Sequence, residues 1–380
     1  MKNKKNRIAV AIGGLLLTTS LSMSAHADWT IKDLGKPAIF INDSGQIAGT
    51  FMNHAYITGP NGIGMTDLGT LGGLSSYANG INNSGHVVGG GSDAKVFITE
   101  ANGVGMREIP RPSDGIWMVG NAINDSAQVT GWVYTAVYYS SACPDCEPVE
   151  HIESYAYITG PNGVGITKLD SLGGSKSIAF DLNNAGQAVG YSYLSGDTTH
   201  HAFISEPNGV GVTDLGTLGG STSMAFGIND SGQVVGWADI ASGNVHHAFI
   251  TGINGAGMID LGTLGGDFSE ARAINDIGQV VGTSNTADGP GHAFLTGPNG
   301  TGMIDLSILE PVVAAGWTQL SPQSINNKGQ IVGIGSLHGI NHAFSLTPSE
   351  ISPIPEPTTY AMLLAGLGLF GYMGRRQAKQ

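Results

Sequence analysis

A ten-residue stretch, Gly-Ile-Asn-Asp-Ser-Gly-Gln-Val-Val-Gly at 227–236, returns along the whole chain. Its opening pair, Ile or Leu followed by Asn, starts at Ile41, Ile81, Ile123, Leu182, Ile228, Ile274 and Ile325. These seven copies stand 40, 42, 59, 46, 46 and 51 residues apart, the differences between those numbers. A repeat of this period builds a fold from similar supersecondary units, each burying its apolar surface against the next. The 60 glycines fit the same reading. They lack the three-residue period of collagen and sit at fixed offsets within each copy, which marks turns.

Copy five shows the unit. An apolar run at 223–229 is turned by Asp230-Ser231-Gly232, and a second run follows at 233–238. A third run is His247-Ala248-Phe249-Ile250, and after Asn254-Gly255 comes a fourth, Met258-Ile259-Asp260-Leu261. Asn-Gly between short apolar runs signals a hairpin, because both residues accept positive φ. Asp-Ser-Gly suits a hairpin turn with Gly in the left-handed position, and it lacks the alternating carboxylates and closing Glu of a calcium loop. Four short antiparallel strands per copy make a propeller blade. Small residues (Ala225, Gly227, Gly236) in the first two strands and large ones (Phe249, Ile250, Met258, Leu261) in the last two match a wedge that narrows toward an axis.

The chain's two ends complement each other. Copy seven has no fourth strand after His342-Ala343-Phe344, and an orphan strand-like run, 29–34, precedes copy one. Pairing the two closes a ring and removes exposed sheet edges, which an open solenoid would not require. The expected fold class is therefore all-β, a seven-bladed β-propeller over residues 28–350, closed by the N-terminal strand on the last blade.

The His-Ala-Phe third strands and the Asp-Leu-Gly-Thr-Leu-Gly-Gly connectors resemble the extracellular HAF repeat, over roughly residues 29–346. The resemblance implies secretion and repetition and carries no activity. Lys95-Val96-Phe97, Tyr155-Ala156-Tyr157, Glu108-Ile109-Pro110 and Leu306-Ser307-Ile308 depart from it, so blades two, three and seven are expected to be locally irregular.

Both ends carry addresses. Lys2, Lys4, Lys5 and Arg7, an apolar run at 8–17, and Ala25-His26-Ala27 form a secretory signal over 1–27, cleaved after Ala27. At the other end Pro355-Glu356-Pro357 precedes an apolar run at 358–374 and then Arg375-Arg376. That run spans roughly 25 Å as a helix, near the lower limit for a membrane crossing, and the basic end would stay cytoplasmic. The tail, 351–380, resembles the PEP-CTERM sorting signal of Gram-negative, exopolysaccharide-producing bacteria. It implies an exosortase-type sorting enzyme as partner, a membrane contact only through the tail before processing, and delivery to the cell surface or matrix.

Without the seven basic and one acidic residue of these signals, the chain keeps 9 of its 16 Lys and Arg and 28 of its 29 Asp and Glu, a net charge of about −19. Such a surface repels phosphate backbones, which argues against nucleic acid. One His per blade (His54, His201, His247, His292, His342) leaves the rings far apart, so they are expected to bond within their own blades and to hold no metal. Asp214 and Asp260, which recur, read as structural. Neither a nucleophile elbow, His-Glu-x-x-His nor a phosphate loop occurs, and no cofactor is expected.

Unique sequence is where an activity is expected. The longest insertion, 132–153, separates the second and third strands of blade three. Trp132, Tyr134 and Tyr138 share a face if it is extended; with Tyr139 they are the candidate ligand-binding residues. Asp145, Glu147, Glu150, His151 and Glu153 gather near them. Cys143 and Cys146, in an exported chain, read as a local disulfide at the tip; the short loop leaves a labile bond or redox role open. Trp117 and Trp317, preceding the inner strands of blades three and seven, are second choices. The functional expectation is a non-enzymatic structural or adhesive module that binds extracellular polysaccharide. The alternative is a carbohydrate-active propeller lyase or hydrolase, which would show a lone cluster of carboxylates with Arg or His at one channel mouth.

Overall fold

The computed structural model describes residues 29–35, 37–139, 149–243 and 245–349; at 38, 136–139, 149–152 and 290 only the backbone is described. Residues 29–349 form one compact unit. In copy five the strands are Gly219–Ile228, Val234–Ile240, His246–Thr251 and Met258–Gly262, antiparallel and hydrogen-bonded in sequence order. Copies one, two and six repeat this four-stranded sheet. A single parallel bridge, Ser154 to Lys176, joins the strands of copies three and four into one larger sheet.

Local chemistry explains each strand end. Asn254 has φ 54, its equivalents lie between 54 and 60, and Gly255 has φ 74, so Asn-Gly makes the tight reversal before the fourth strand. The glycine of Val-Val-Gly has a different reason. The first strand carries a bulge between Ala225 and Gly227, and a Cβ on Gly236 would lie 1.9 Å from the Met224 carbonyl oxygen. The equivalent Gly89, Gly131 and Gly190 are closed off in the same way. A side chain there would push the first two strands apart.

The core lies between copies. Val189 and Ile204 of copy four pack with Ala225, Ile228, Val234 and Phe249 of copy five. Val235, Ala248 and Ile250 of copy five pack with Ala271, Ile274 and Phe294 of copy six. Ile41 and Ile47 of copy one pack with Val332 and Ala343 of copy seven. Both faces of a sheet are thereby buried, which is why its central strands are continuously apolar.

Trp29–Asp33 pairs antiparallel with Ile340–Pro348, Asp33 opposite Phe344, and supplies the fourth strand of copy seven. Two expectations need correction. The insertion at 132–153 does not stand between strands: the second and third strands of copy three run on as Val129–Tyr139 and Val149–Thr159, with a ladder continuous from Thr130 to Tyr139. Trp117 and Trp317 lie within first strands, Gly115–Ile123 and Trp317–Ile325, and do not precede them. The sequence departure before copy seven, Leu306-Ser307-Ile308, is followed by a short helix, Glu310–Ala314.

Candidate functional site

The Asn of the repeat signature builds the first candidate region. Asn229 Oδ1 accepts the N–H of Gln233 at 2.9 Å and fixes the turn, while its Nδ2 donates to the Asn275 carbonyl of the next copy at 3.1 Å. The series runs from Asn42 to Asn82, Asn124, Asn183, Asn229, Asn275 and Asn326, and Asn326 donates back to the Asn42 carbonyl at 3.0 Å. Each of these carbonyls also accepts a turn N–H of its own copy, as the Asn275 carbonyl accepts Gly278 N at 2.9 Å, so the buried amide is a second partner that ties one copy to the next.

The next residue of each copy forms a rim around a cavity of about 200 Å³: Asp43, Asn83, Asp125, Asn184, Asp230, Asp276 and Asn327. Each backbone N–H donates to the side chain of the following copy, as in Asn184 N to Asp230 Oδ1 at 2.9 Å and Asn327 N to Asp43 Oδ1 at 2.8 Å. The amide of Asn184 also bridges Asp125 Oδ2 (3.2 Å) and Asp230 Oδ2 (2.9 Å), and Asn327 bridges Asp43 and Asp276 likewise. Amides thus separate carboxylates, but an odd number of copies leaves one like pair, Asp230 beside Asp276. Among the described residues, neither Arg nor His lines this mouth.

The five histidines bond as expected. His54, His201, His247, His292 and His342 each place Nδ1 2.7–3.0 Å from an Asp carboxylate on the neighbouring fourth strand. Among the described residues no group of His, Cys, Asp and Glu is arranged to hold a metal ion.

The second region is a half-buried band of aromatic rings across copies three to six. Trp132 and Tyr134 stack edge-on at 4.3 Å between centroids. Tyr191 lies 5.1 Å from His200 and 6.1 Å from Tyr193, and Tyr193 lies 5.4 Å from His200. His200 leads to Trp237 at 6.2 Å, Trp237 to His246 at 4.5 Å, and His246 to Phe268 at 4.3 Å. Toward the first strands, Phe180 touches Tyr191 and Phe226, and Arg272 stands 4.8 Å over Phe226. Arg272 Nη2 also lies 2.7 Å from Glu270 Oε1, in an ionic contact without hydrogen-bond alignment. Lys176 stands 5.9 Å over Tyr193.

The band's ionisation states follow from burial. Burial pushes Tyr191 up to about 12, helped by the nearby Tyr193 and Tyr134. Burial holds His200 and His246 below the ordinary imidazole value, against the pull of Asp239. Both imidazoles are therefore neutral near pH 7. The surface they join is apolar and flat-ringed, with hydroxyl and imidazole edges, the composition that meets the CH face and hydroxyls of a sugar.

Of the residues expected from sequence, Trp132 and Tyr134 lie at one end of this band. Tyr138 and Tyr139 lie at the far end of the long second strand, described by backbone alone. Cys143, Cys146, Ala25, Ala27, Pro355, Glu356, Pro357, Arg375 and Arg376 lie outside the described residues. Trp317 is 4% exposed and packs on Phe344 at 5.8 Å, so it is core and no ligand position; Trp117 is 40% exposed. Sequence reading missed Tyr191, Trp237, His200, His246 and Phe268. The signal was a column: the residue after Val-Val-Gly or its equivalent is Thr50, Gly90, Trp132, Tyr191, Trp237, Thr283 and Ile334, aromatic only in three successive copies.

The PEP-CTERM protein-sorting motif matches residues 353–377. It implies processing by an exosortase-type enzyme and a secreted surface protein. Among the described residues no helix is long and apolar enough to cross a membrane, and the apolar run at 358–374 lies outside them. No curated protein matches the chain. Among solved structures, the chain is similar to oligogalacturonate lyase from Vibrio parahaemolyticus (8% identity, 84% of this chain and 91% of that one, TM-score 0.54). It is also similar to an oligogalacturonate lyase in complex with manganese (10%, 85% and 92%, 0.52) and to YCF48 bound to D1 peptide (12%, 84% and 95%, 0.50). These are β-propeller proteins, and at such identity the likeness shows the fold alone.

Proposed function

We propose that residues 28–350 are a seven-bladed β-propeller, closed by the N-terminal strand on the last blade, between a signal peptide (1–27) and a sorting tail (351–380). The protein is a non-enzymatic module of the extracellular surface that binds polysaccharide. The observation that carries this reading is the aromatic band, confined to copies three to six although every copy has the same strands. A residue needed for folding alone would recur in every copy; these do not.

The insertion belongs to the same surface in this reading. Tyr138 and Tyr139 are proposed to bind the same ligand, and Cys143 and Cys146 to form a disulfide that supports them. The lyase or hydrolase reading has less support. The mouth's carboxylates are repeat positions held by amides of neighbouring copies, without the lone acid–base cluster such chemistry uses. The test is retention of the mature chain on the native exopolysaccharide. Tyr191→Ala with Trp237→Ala should cut affinity about tenfold or more, the loss of two stacking contacts. Unchanged retention, or shortening of the polysaccharide by the wild-type protein, would displace the reading.

A further inference from the structure

The repeat sets a His on the third strand against an Asp on the fourth, and copy three reverses this polarity. Tyr155 stands at the His position and Lys168 at the Asp position, with the Lys168 ammonium 4.5 Å from the centre of the Tyr155 ring. Tyr155 Oη in turn donates to Asp114 at 3.1 Å, which fixes the ring.

The connector from copy two to copy three departs at the same place. In the connectors into copies five and six the second leucine fills space: Leu218 and Leu264 pack on the cores there. Here Pro112 takes that position. Two adjoining cavities, of about 410 and 310 Å³, flank the connector. The smaller is walled by Ile109, Pro110, Pro112, Tyr155 and Ile166, and among the described residues Lys168 is its one charged residue. Arg111 borders the larger, where Lys95 is already paired with Asp93 at 3.1 Å. Neither Lys168 nor Arg111 pairs with a carboxylate among the described residues, although acidic residues of the secreted chain outnumber basic ones 28 to 9.

We propose that this cleft is an anion subsite for a carboxylate-bearing sugar residue, a uronic acid. Proline and tyrosine walls accept the apolar side of a pyranose ring, and the Lys168 ammonium takes the carboxylate in a charge-assisted hydrogen bond. One ammonium in an apolar cleft suits a monoanion on a ring better than phosphate, which draws clustered donors. The site is separate from the aromatic band and gives a strongly acidic protein a local hold on an acidic glycan.

The test is calorimetric titration of the mature chain with glucuronate, a short glucuronate oligomer, glucose and acetate. Saturable binding of both glucuronate ligands is expected, with glucose and acetate at least tenfold weaker. Lys168→Met should weaken glucuronate about tenfold, the worth of one charge-assisted bond, and Lys168→Arg should retain most of it. Equal binding by Lys168→Met and wild type would overturn the site, as would acetate binding as well as glucuronate. Tyr191→Ala with Trp237→Ala should leave glucuronate binding unchanged; its loss there would assign the ligand to the band and overturn this site. Failure of the band to hold polysaccharide leaves these outcomes unaffected.

Discussion

Asp33 and His342 are 309 residues apart in the chain, and His342 Nδ1 lies 3.0 Å from Asp33 Oδ2. The same pair occurs inside single copies as His201 with Asp214 and His247 with Asp260. The first strand of the described chain thus completes the last copy down to its side-chain contacts. Trp29 and Ile31 pack on the cluster that holds Trp317, Phe344 and Leu346.

Removing 28–34 should therefore uncover an apolar face and leave Ile340–Pro348 as an open edge. A lower melting temperature and association on size-exclusion chromatography are expected. A monomeric truncation that melts like the full ectodomain would refute closure by this strand. Asp33→Asn alone should cost less than about 1 kcal/mol, because the pair is partly exposed.

Asn229→Ala should be far more damaging than its size suggests. It strips the buried Gln233 N–H of its acceptor and leaves the next copy's Asn275 carbonyl with the Gly278 N–H alone, at about 1–3 kcal/mol. Chemical denaturation measures it. Asp230→Asn should do the opposite. It removes the one like-charge neighbour pair of the rim and should raise the melting temperature in low salt, with a smaller gain in 1 M salt.

Asp181 gives a pH dependence with a definite sign. It stands where copies five and six have Gly227 and Ala273, and burial pushes its carboxyl up to about 6, against the pull of the Ile228 and Leu182 N–H groups. A folded value above the unfolded one, 3.8, means the folded state holds the proton more tightly. The stability this contributes is full below about pH 4 and is lost as pH rises through about 6. Asp181→Ala should then gain on the wild type as pH is raised from 4 to 7, by on the order of 1–3 kcal/mol. His200 and His246 act oppositely: their lowered values make stability fall as pH drops below 6.5. Melting curves of both proteins between pH 4 and 8 separate the two effects.

Processing leaves a mass signature. Mature protein from its native host should lack residues 1–27 and the Arg375-Arg376 end, and replacing Pro355-Glu356-Pro357 with alanines should hold the chain in the membrane. A surface form that keeps Arg376 would contradict sorting through the motif at 353–377.

Tyr138→Ala with Tyr139→Ala should weaken retention on exopolysaccharide while barely moving the melting temperature, and reduction of a Cys143–Cys146 bond should act in the same direction. A smaller loss than Tyr191→Ala with Trp237→Ala would place the centre of the surface on the band and its edge on the hairpin.

The sequence by itself determined the four strands of each copy, the turns, the complementary ends and that each repeated His bonds within its own copy; that its partner is the fourth-strand Asp came from the structure. These rest on simple rules: short apolar runs recurring from copy to copy, positive-φ residues between them, and a missing strand at one end matched by a spare at the other. Only the tertiary structure decided what the signature Asn does, because its amide partner is the carbonyl of another copy, 46 residues on from Asn229. It also decided that Trp317 is core and that the band exists. Tyr191 and Trp237 share a register position in successive copies, and only the packing of sheet against sheet brings their surroundings within ring contact through His200. The cleft at Lys168 has the same origin: a leucine lost from one copy leaves space only where the next copy's Tyr155 forms the opposite wall.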